Sequence, residues 1–311
     1  MSEENKSGES VLVAVTSSDT SVAALSRDLA QACSDLGLVR QDEVRTLCDN
    51  DIWSAVECPV AQDTDSSAPL QSKLQNALGS ATDYALLPAH NRRKRLLVSD
   101  MDSTIIEQEC LDELADFAGL KADISAVTER AMRGELDFET ALTERVSKLK
   151  GLPLEALAQC YAEKISLMPG ARTLTATMHH AGAYCLLVSG GFTYFTGKVA
   201  ADAGFQAHKG NVLLDDGTQL TGEVGRPILG RAAKLEFLDQ AAFANGITRQ
   251  ETLAMGDGAN DLAMIEAAGL GLAVHAKPVV AEAAHAAINH TNLVSALFFQ
   301  GYTEDEILWR G

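Results

Sequence analysis

Short runs of apolar residues, four to nine long, alternate with longer stretches in which apolar positions recur every three or four residues. The short runs read as strands and the longer ones as helices. From the amino end, Val11 to Val15 is a strand and Ser21 to Leu38 a helix. Val44 to Leu47 and Ile52 to Val60 are short strands separated by the turn-forming Asp49-Asn50-Asp51. Leu70 to Leu78 reads as a helix and Tyr84 to Leu87 as a strand. The order β-α-β-β-α-β in so short a segment predicts a ferredoxin-like α+β unit over residues 1–90.

Beyond it the rhythm changes. Strands at Leu96 to Ser99, Ala183 to Val188, Thr252 to Met255 and Gly271 to Val274 alternate with helices at Arg172 to His180, Phe195 to Ala203, Arg231 to Ala244 and Asp261 to Ala268. This alternation predicts an α/β domain over residues 91–311, a Rossmann-like parallel sheet with helices on both faces. Two inserts interrupt it. Ile105 to Met168 is long, helical and amphipathic and is expected to form a helical cap (residues 105–168) over a core of 91–104 and 169–311. Gly210 to Gly225 carries Asp216-Gly217 between β-rich segments and reads as a hairpin.

Composition narrows the classes. The 311 residues are 46% apolar and 22% charged, with a formal net charge of −18, which disfavours a nucleic-acid partner. The one basic cluster, Arg92-Arg93-Lys94-Arg95 after Asn91, reads as a solvated linker between the two units. No run approaches the roughly 18 apolar residues of a membrane span. The six cysteines are scattered without zinc-ligand spacing and read as reduced packing residues of a cytoplasmic protein.

The chemistry gathers at strand ends. The first strand of the second unit delivers Asp100-Met101-Asp102-Ser103-Thr104, the second Ser189-Gly190-Gly191, and the third Gly256-Asp257-Gly258-Ala259-Asn260-Asp261. Each alone has an ordinary reading as a cap or turn. In a parallel sheet, however, all three fall at one carboxyl edge, where ligands bind. Glycines beside Ser189 and Asp257 admit an anion to backbone N–H groups, and the carboxylates suit a hard cation.

These stretches, with Lys234 on a later helix, resemble the four motifs of the haloacid dehalogenase superfamily of phosphatases, over Arg95 to about Leu297. Inside the cap, Glu109, Met132, Phe138 and Arg145 stand where the members acting on phosphoserine carry their recognition residues. The resemblance implies a Mg²⁺-dependent phosphomonoesterase acting on O-phospho-L-serine, the last step of serine biosynthesis. Asp100 is then the nucleophile and Asp102 the general acid and base. Ser189, Gly190, Lys234 and Asn260 contact the phosphoryl group. Asp100 and Asp257, with the Asp102 carbonyl, are the metal ligands, and Asp261 supports them. Glu109 and Arg145 answer the ammonium and carboxylate of the substrate, with Met132 and Phe138 as an apolar wall or as cap core. Transfer to another alcohol, another small phosphate ester as substrate, and a non-enzymatic amino-acid-binding regulator are the alternatives.

The first unit resembles ACT-type amino-acid-binding domains in element order. Its loop Thr16-Ser17-Ser18-Asp19-Thr20 lacks the glycine those domains use for a small ligand. A role in forming a homodimer, or a structural one, is therefore expected at least as much as serine sensing. Removal of Met1 to about Ala89 is expected to leave the chemistry largely intact.

Overall fold

A computed structural model of the chain describes residues 9–17, 20–61, 81–133 and 135–311. The expected helix at Leu70 to Leu78 lies outside the described residues, as do parts of the glycine-free loop. The first unit contains β1 (Glu9–Thr16), α1 (Val22–Asp35), β2 (Val39–Arg40), β3 (Arg45–Asp49), β4 (Ser54–Ala61) and β5 (Asp83–Pro88). The sheet order is β2-β4-β1-β5, with β3 also on β4, and all pairs are antiparallel. β2 and β3 meet different ends of β4, so together they form one interrupted edge. Ser21 caps α1 by accepting the Ala24 N–H at 3.3 Å.

Alternation along β1 explains its unbroken apolar run. Leu12 and Ala14 pack with Leu25, Leu29 and Cys33 of α1, while Val11, Val13 and Val15 join a cluster that continues into the second unit. An antiparallel strand reads as all apolar when both of its faces are covered.

The second unit adds β6 (Leu96–Ser99), then α2 (Cys110–Phe117), α3 (Lys121–Met132), α4 (Phe138–Lys148) and α5 (Leu154–Lys164) in the insert. It continues with α6 (Ala171–His180), β7 (Tyr184–Phe192), α7 (Thr193–Ala203), β8 (Ala207–Asn211), β9 (Leu213–Asp215), β10 (Leu220–Val224) and α8 (Arg231–Ala244). It closes with β11 (Thr252–Gly256), α9 (Leu262–Ala267), β12 (Leu270–Val274), α10 (Pro278–Ala283), β13 (Ala286–Ile288) and α11 (Ser295–Phe299). Six strands form a parallel sheet in the order β13-β12-β11-β6-β7-β8. From β6 the chain first runs outward through β7 and β8, then returns to β11 on the other side. The carboxyl end of β6 is therefore the switch point of the sheet, the place where such folds open a crevice.

The insert leaves and rejoins the core through an antiparallel stem, with Ile106 bridged to Leu167 and the Met168 N–H bound to the Ile105 carbonyl at 2.8 Å. The β9–β10 hairpin leans on the insert: the Gly151 N–H binds the Leu220 carbonyl, and the Leu220 N–H binds the Leu152 carbonyl. A Cβ on Gly222 would lie 2.8 Å from that of Lys150, so the contact needs a glycine there. Among the described residues no helix is long and apolar enough to cross a membrane.

The basic cluster is only half a solvated linker: Arg93 and Arg95 are exposed, while Arg92 and Lys94 turn inward. Lys94 is only 7% exposed, and its Nζ donates to the Asn91 and Gln250 carbonyls. Arg92 donates to Glu57 of β4 at 2.6 Å and to the Phe298 and Phe299 carbonyls of α11. These cations saturate carbonyls and a buried carboxylate along the seam between the two sheets, which a charge count along the chain does not reveal.

Candidate active site

β6 is buried on both faces: Leu96 and Val98 pack with Leu238 and Met264, while Leu97 faces the larger cluster. The chain leaves the sheet at Asp100, whose N–H binds the Met255 carbonyl at 2.9 Å. It then winds around Met101, whose carbonyl accepts the N–H groups of Ile105 and Ile106. Ser103 adopts a φ of 53° within this loop, a left-handed conformation that costs a non-glycine residue energy and persists at constrained sites. Its Oγ donates to Glu109 Oε1 at 2.9 Å, so the loop carrying both aspartates also holds the start of the cap.

Four strand ends contribute to a cavity of about 340 Å³. Its walls include Asp100, Asp102, Ser189, Gly190, Asp257 and Asn260 from the core, and Glu109, Phe138 and Arg145 from the insert. Beneath it lies Lys234 of α8, only 3% exposed. Its Nζ meets Asp100 Oδ1 at 2.7 Å and Asp261 Oδ1 at 2.6 Å. Burial opposes the ammonium charge, but the two carboxylates outweigh it and push Lys234 up to about 12.

The acids are crowded. Asp100, Asp257 and Asp261 each bring a carboxylate oxygen within 4.8 Å of the others. Lys234 and the Gly258 N–H engage both oxygens of Asp261. Asp100 Oδ2 is left without a protein donor among the described residues. Burial and the charge of Asp100 raise the pKa values of Asp257 and Asp261, with Lys234 opposing in both. The Asp102 carboxyl stands apart from this trio. It accepts the Cys110 N–H at 2.8 Å and the Ser189 hydroxyl at 3.0 Å. Burial, then Asp100, pushes it up to about 6.

The Ser-Gly-Gly stretch corrects the strand-end reading. It lies within β7, which continues to Phe192. The pairing with β8 runs Val188 to Lys209 and then jumps to Phe192 with Asn211, so residues 189–191 bulge out of the ladder. The two glycines make this possible. A Cβ on Gly191 would lie 3.1 Å from Asp102 Oδ2, and one on Gly190 would lie 3.4 Å from Phe138 Cζ.

The insert supplies the other wall. Burial and then Asp102 push the Glu109 carboxyl up to about 7. Arg145 is half-buried; Nε donates to the Ala141 carbonyl at 3.4 Å, and no carboxylate comes within ion-pair distance among the described residues. Burial lowers the Arg145 pKa despite the charges of Asp112 and Glu109. Phe138 is 44% exposed with its ring over Gly190 and Gly230, so it is no core residue of the insert. Met132 closes α3, and its side chain lies outside the description.

Two residues escaped the sequence reading. Lys277 lines the cavity after β12, and its N–H reaches the Asp257 carbonyl at 3.4 Å. The rule applied to three strand ends pointed to it, because β12 ends at the same edge. Asn211 sits behind the β7 bulge and carries no motif that would have singled it out.

Against known proteins, the family described as haloacid dehalogenase-like hydrolase matches residues 97–266. A phosphoserine phosphatase of Archaeoglobus fulgidus is 45% identical over 204 residues, covering 66% of this chain but only 59% of that protein. A phosphoserine phosphatase of a Polaromonas species is 44% identical over 64% of this chain and 86% of its own length. The crystal structure of a probable phosphoserine phosphatase from Vibrio cholerae, unliganded, superposes with a TM-score of 0.75 at 32% identity, covering 94% of this chain and 86% of that one. That overlap takes in the antiparallel sheet as well as the parallel one. The chain belongs to the haloacid dehalogenase-like hydrolase family.

Proposed function

We propose that this protein hydrolyses O-phospho-L-serine to L-serine and phosphate through a phosphorylated Asp100. The observation that carries the reading is the pairing, across one cavity, of a phosphate-handling floor with the Glu109 carboxyl and an Arg145 that has no carboxylate partner among the described residues. A substrate with a phosphate, a carboxylate and an ammonium answers all three. The phosphoserine phosphatases among its relatives point the same way.

The donor set suits a hard divalent cation such as Mg²⁺: carboxylate oxygens only, gathered within 4.8 Å. Asp100 and Asp257 would hold it, with the Asp102 carbonyl. Asp261, both oxygens already engaged, would support the site rather than ligate. When bound, Mg²⁺ would supply charge neutralisation to the phosphoryl oxygens and the surrounding acids.

Asp100 would attack phosphorus in line, forming an acyl phosphate as the bond to the serine oxygen breaks. Asp102, pushed up to about 6, would deliver the proton that oxygen needs and then take one from the attacking water. Ser189 Oγ–H, now on Asp102 at 3.0 Å, and the Gly190 N–H would hold phosphoryl oxygens, with Asn260 beside them. Lys234, paired with Asp100, would offset negative charge on that carboxylate and on the phosphoryl group. Phe138 would screen the site from bulk water on the cap side. A homodimer, where formed, would use the β2–β3 edge, because β5 on the other edge is bound to the segment after β13.

The test is phosphate release from O-phospho-L-serine against a panel of small phosphate esters, with Mg²⁺ and then with EDTA. A Mg²⁺-dependent preference for phosphoserine is expected. Mg²⁺-dependent hydrolysis without that preference would overturn the substrate and leave the chemistry standing.

A further inference from the structure

Asn211 ends β8 and is 1% exposed, and it is not among the residues that line the cavity. Its side-chain amide is fully used. Nδ2 donates to the Gly190 carbonyl at 2.8 Å and to the Leu229 carbonyl at 3.3 Å, and Oδ1 accepts the Leu229 N–H at 2.7 Å. Only one orientation of the amide satisfies all three bonds, so the network itself assigns it.

Both partners lead to the site. The Gly190 carbonyl belongs to the peptide plane whose other end is the Gly191 N–H. That N–H donates to Ser189 Oγ at 2.8 Å, and Ser189 Oγ donates to Asp102 Oδ2 at 3.0 Å. Locking the carbonyl therefore sets the hydroxyl. Leu229 directly precedes Gly230, the N-cap of α8, and one turn into that helix is Lys234, bound to Asp100. The β7 bulge removes ladder bonds opposite Gly210, where a Cβ would lie 3.1 Å from the Gly191 carbonyl oxygen. The Asn211 amide replaces what the ladder gave up.

We infer that Asn211 is a positioning residue that registers the Ser189 arm and the Lys234 arm of the phosphate site against each other. The inference rests on the phosphatase reading above. A group that places reacting atoms to within an ångström is worth on the order of 10²-fold in rate.

The test compares full-length wild type, Asn211→Asp, Ser189→Ala and the double variant, each with Mg²⁺. Asn211→Asp keeps the acceptor for Leu229 but sets an oxygen against two carbonyls. The readouts are kcat and KM for O-phospho-L-serine, inorganic phosphate affinity by calorimetry, and thermal melting. Asn211→Asp is expected to lower kcat by about 10²-fold and to weaken phosphate binding. The double variant should lose much less than the product of the single losses, because Asn211 acts partly through Ser189. A purely structural amide predicts full multiplication of the losses, or kcat within threefold of wild type, and either result overturns the inference. Should the aspartate variant not fold, Asn211→Ser makes the same comparison. If wild type binds phosphate but does not turn over phosphoserine, the substrate reading falls. The loss of phosphate affinity in Asn211→Asp then still decides the inference.

Discussion

Two buried aspartates in this molecule live under opposite electrostatics. Asp83, 2% exposed at the start of β5, reaches across the seam between the two sheets. Its Oδ1 accepts the Asn289 N–H at 2.8 Å and its Oδ2 the Thr291 N–H at 2.9 Å, with His290 N–H and the Thr291 hydroxyl adding to them. Among the described residues no other carboxylate shares these bonds. Asp100, 5% exposed at the end of β6, shares one ammonium with Asp261 and stands beside Asp257 and Asp102. The first carboxylate is satisfied by the fold, and the second is left short of positive charge by it. A protein that can saturate Asp83 so fully has the means to saturate Asp100. That it does not fits the proposal that the site takes up a cation and a phosphoryl group.

The sharpest way to break the contrast is Asp100→Asn. Turnover is expected to fall by several orders of magnitude, as loss of a nucleophile does, while the melting temperature of metal-free protein does not drop, since like-charge crowding is relieved. Phosphate release and a thermal melt check both halves; near-wild-type activity would sink the nucleophile.

Asp83→Ala should do the reverse. It strands the buried Thr291 N–H and two further N–H groups on the exposed residues Asn289 and His290, so unfolding free energy should fall by about 1–3 kcal/mol. Denaturant titration measures the loss, and KM for the folded fraction should stay put. An unchanged midpoint would show that the seam is held elsewhere.

The seam was also the least legible part of the chain. Its contacts join residues more than 200 positions apart: Asp83 to Thr291, Arg92 to Phe298, and the Trp53 ring tilted 5.8 Å from that of Phe298. No local pattern announces such contacts, and Arg92 and Lys94 looked like a solvated linker because sequence shows charge without its surroundings. The parallel sheet was legible because strands buried on both faces are continuous apolar runs ending in polar residues. The bulge in β7 was not, since two glycines beside a serine end a strand as readily as they break its ladder. β13 and α10 were too short to stand out. Removing residues 1–89, which from sequence promised to leave the chemistry intact, would bare Phe298 and leave Arg92 without Glu57. The truncated chain is expected to be poorly soluble and to melt lower, and light scattering would show it.

Within the cavity, the contrast predicts a smaller and more selective loss. Among the described residues Arg145 has no carboxylate partner, so Arg145→Ala is expected to remove a partner for substrate. kcat/KM for phosphoserine should drop by roughly 10–100-fold, the worth of one charge-assisted bond. A phosphate ester without a carboxylate should lose little. Equal losses on both substrates would remove the reason for assigning an amino-acid substrate.

The smallest effect is a difference in slope. Asp102 is pushed from 3.8 up to about 6, so the folded, metal-free protein holds a proton that the unfolded chain has released. Stability from this group is therefore greatest below about pH 4 and is lost as pH rises through 6. Glu306, an ion-pair partner of Arg93, runs the other way. The Arg93 guanidinium holds Glu306 down to about 2 from 4.5, and the stability it adds is present above pH 4.5 and lost as pH falls toward 2. In EDTA, Asp102→Asn should melt with wild type near pH 4 and progressively above it toward pH 7. Glu306→Gln should match wild type near pH 2 and fall progressively below it as pH rises to about 4.5. Parallel melting curves for wild type and Asp102→Asn across that range would mean that crowding does not act on Asp102, and the distinction between a satisfied seam and a charge-crowded site would fail at the residue proposed to transfer the proton.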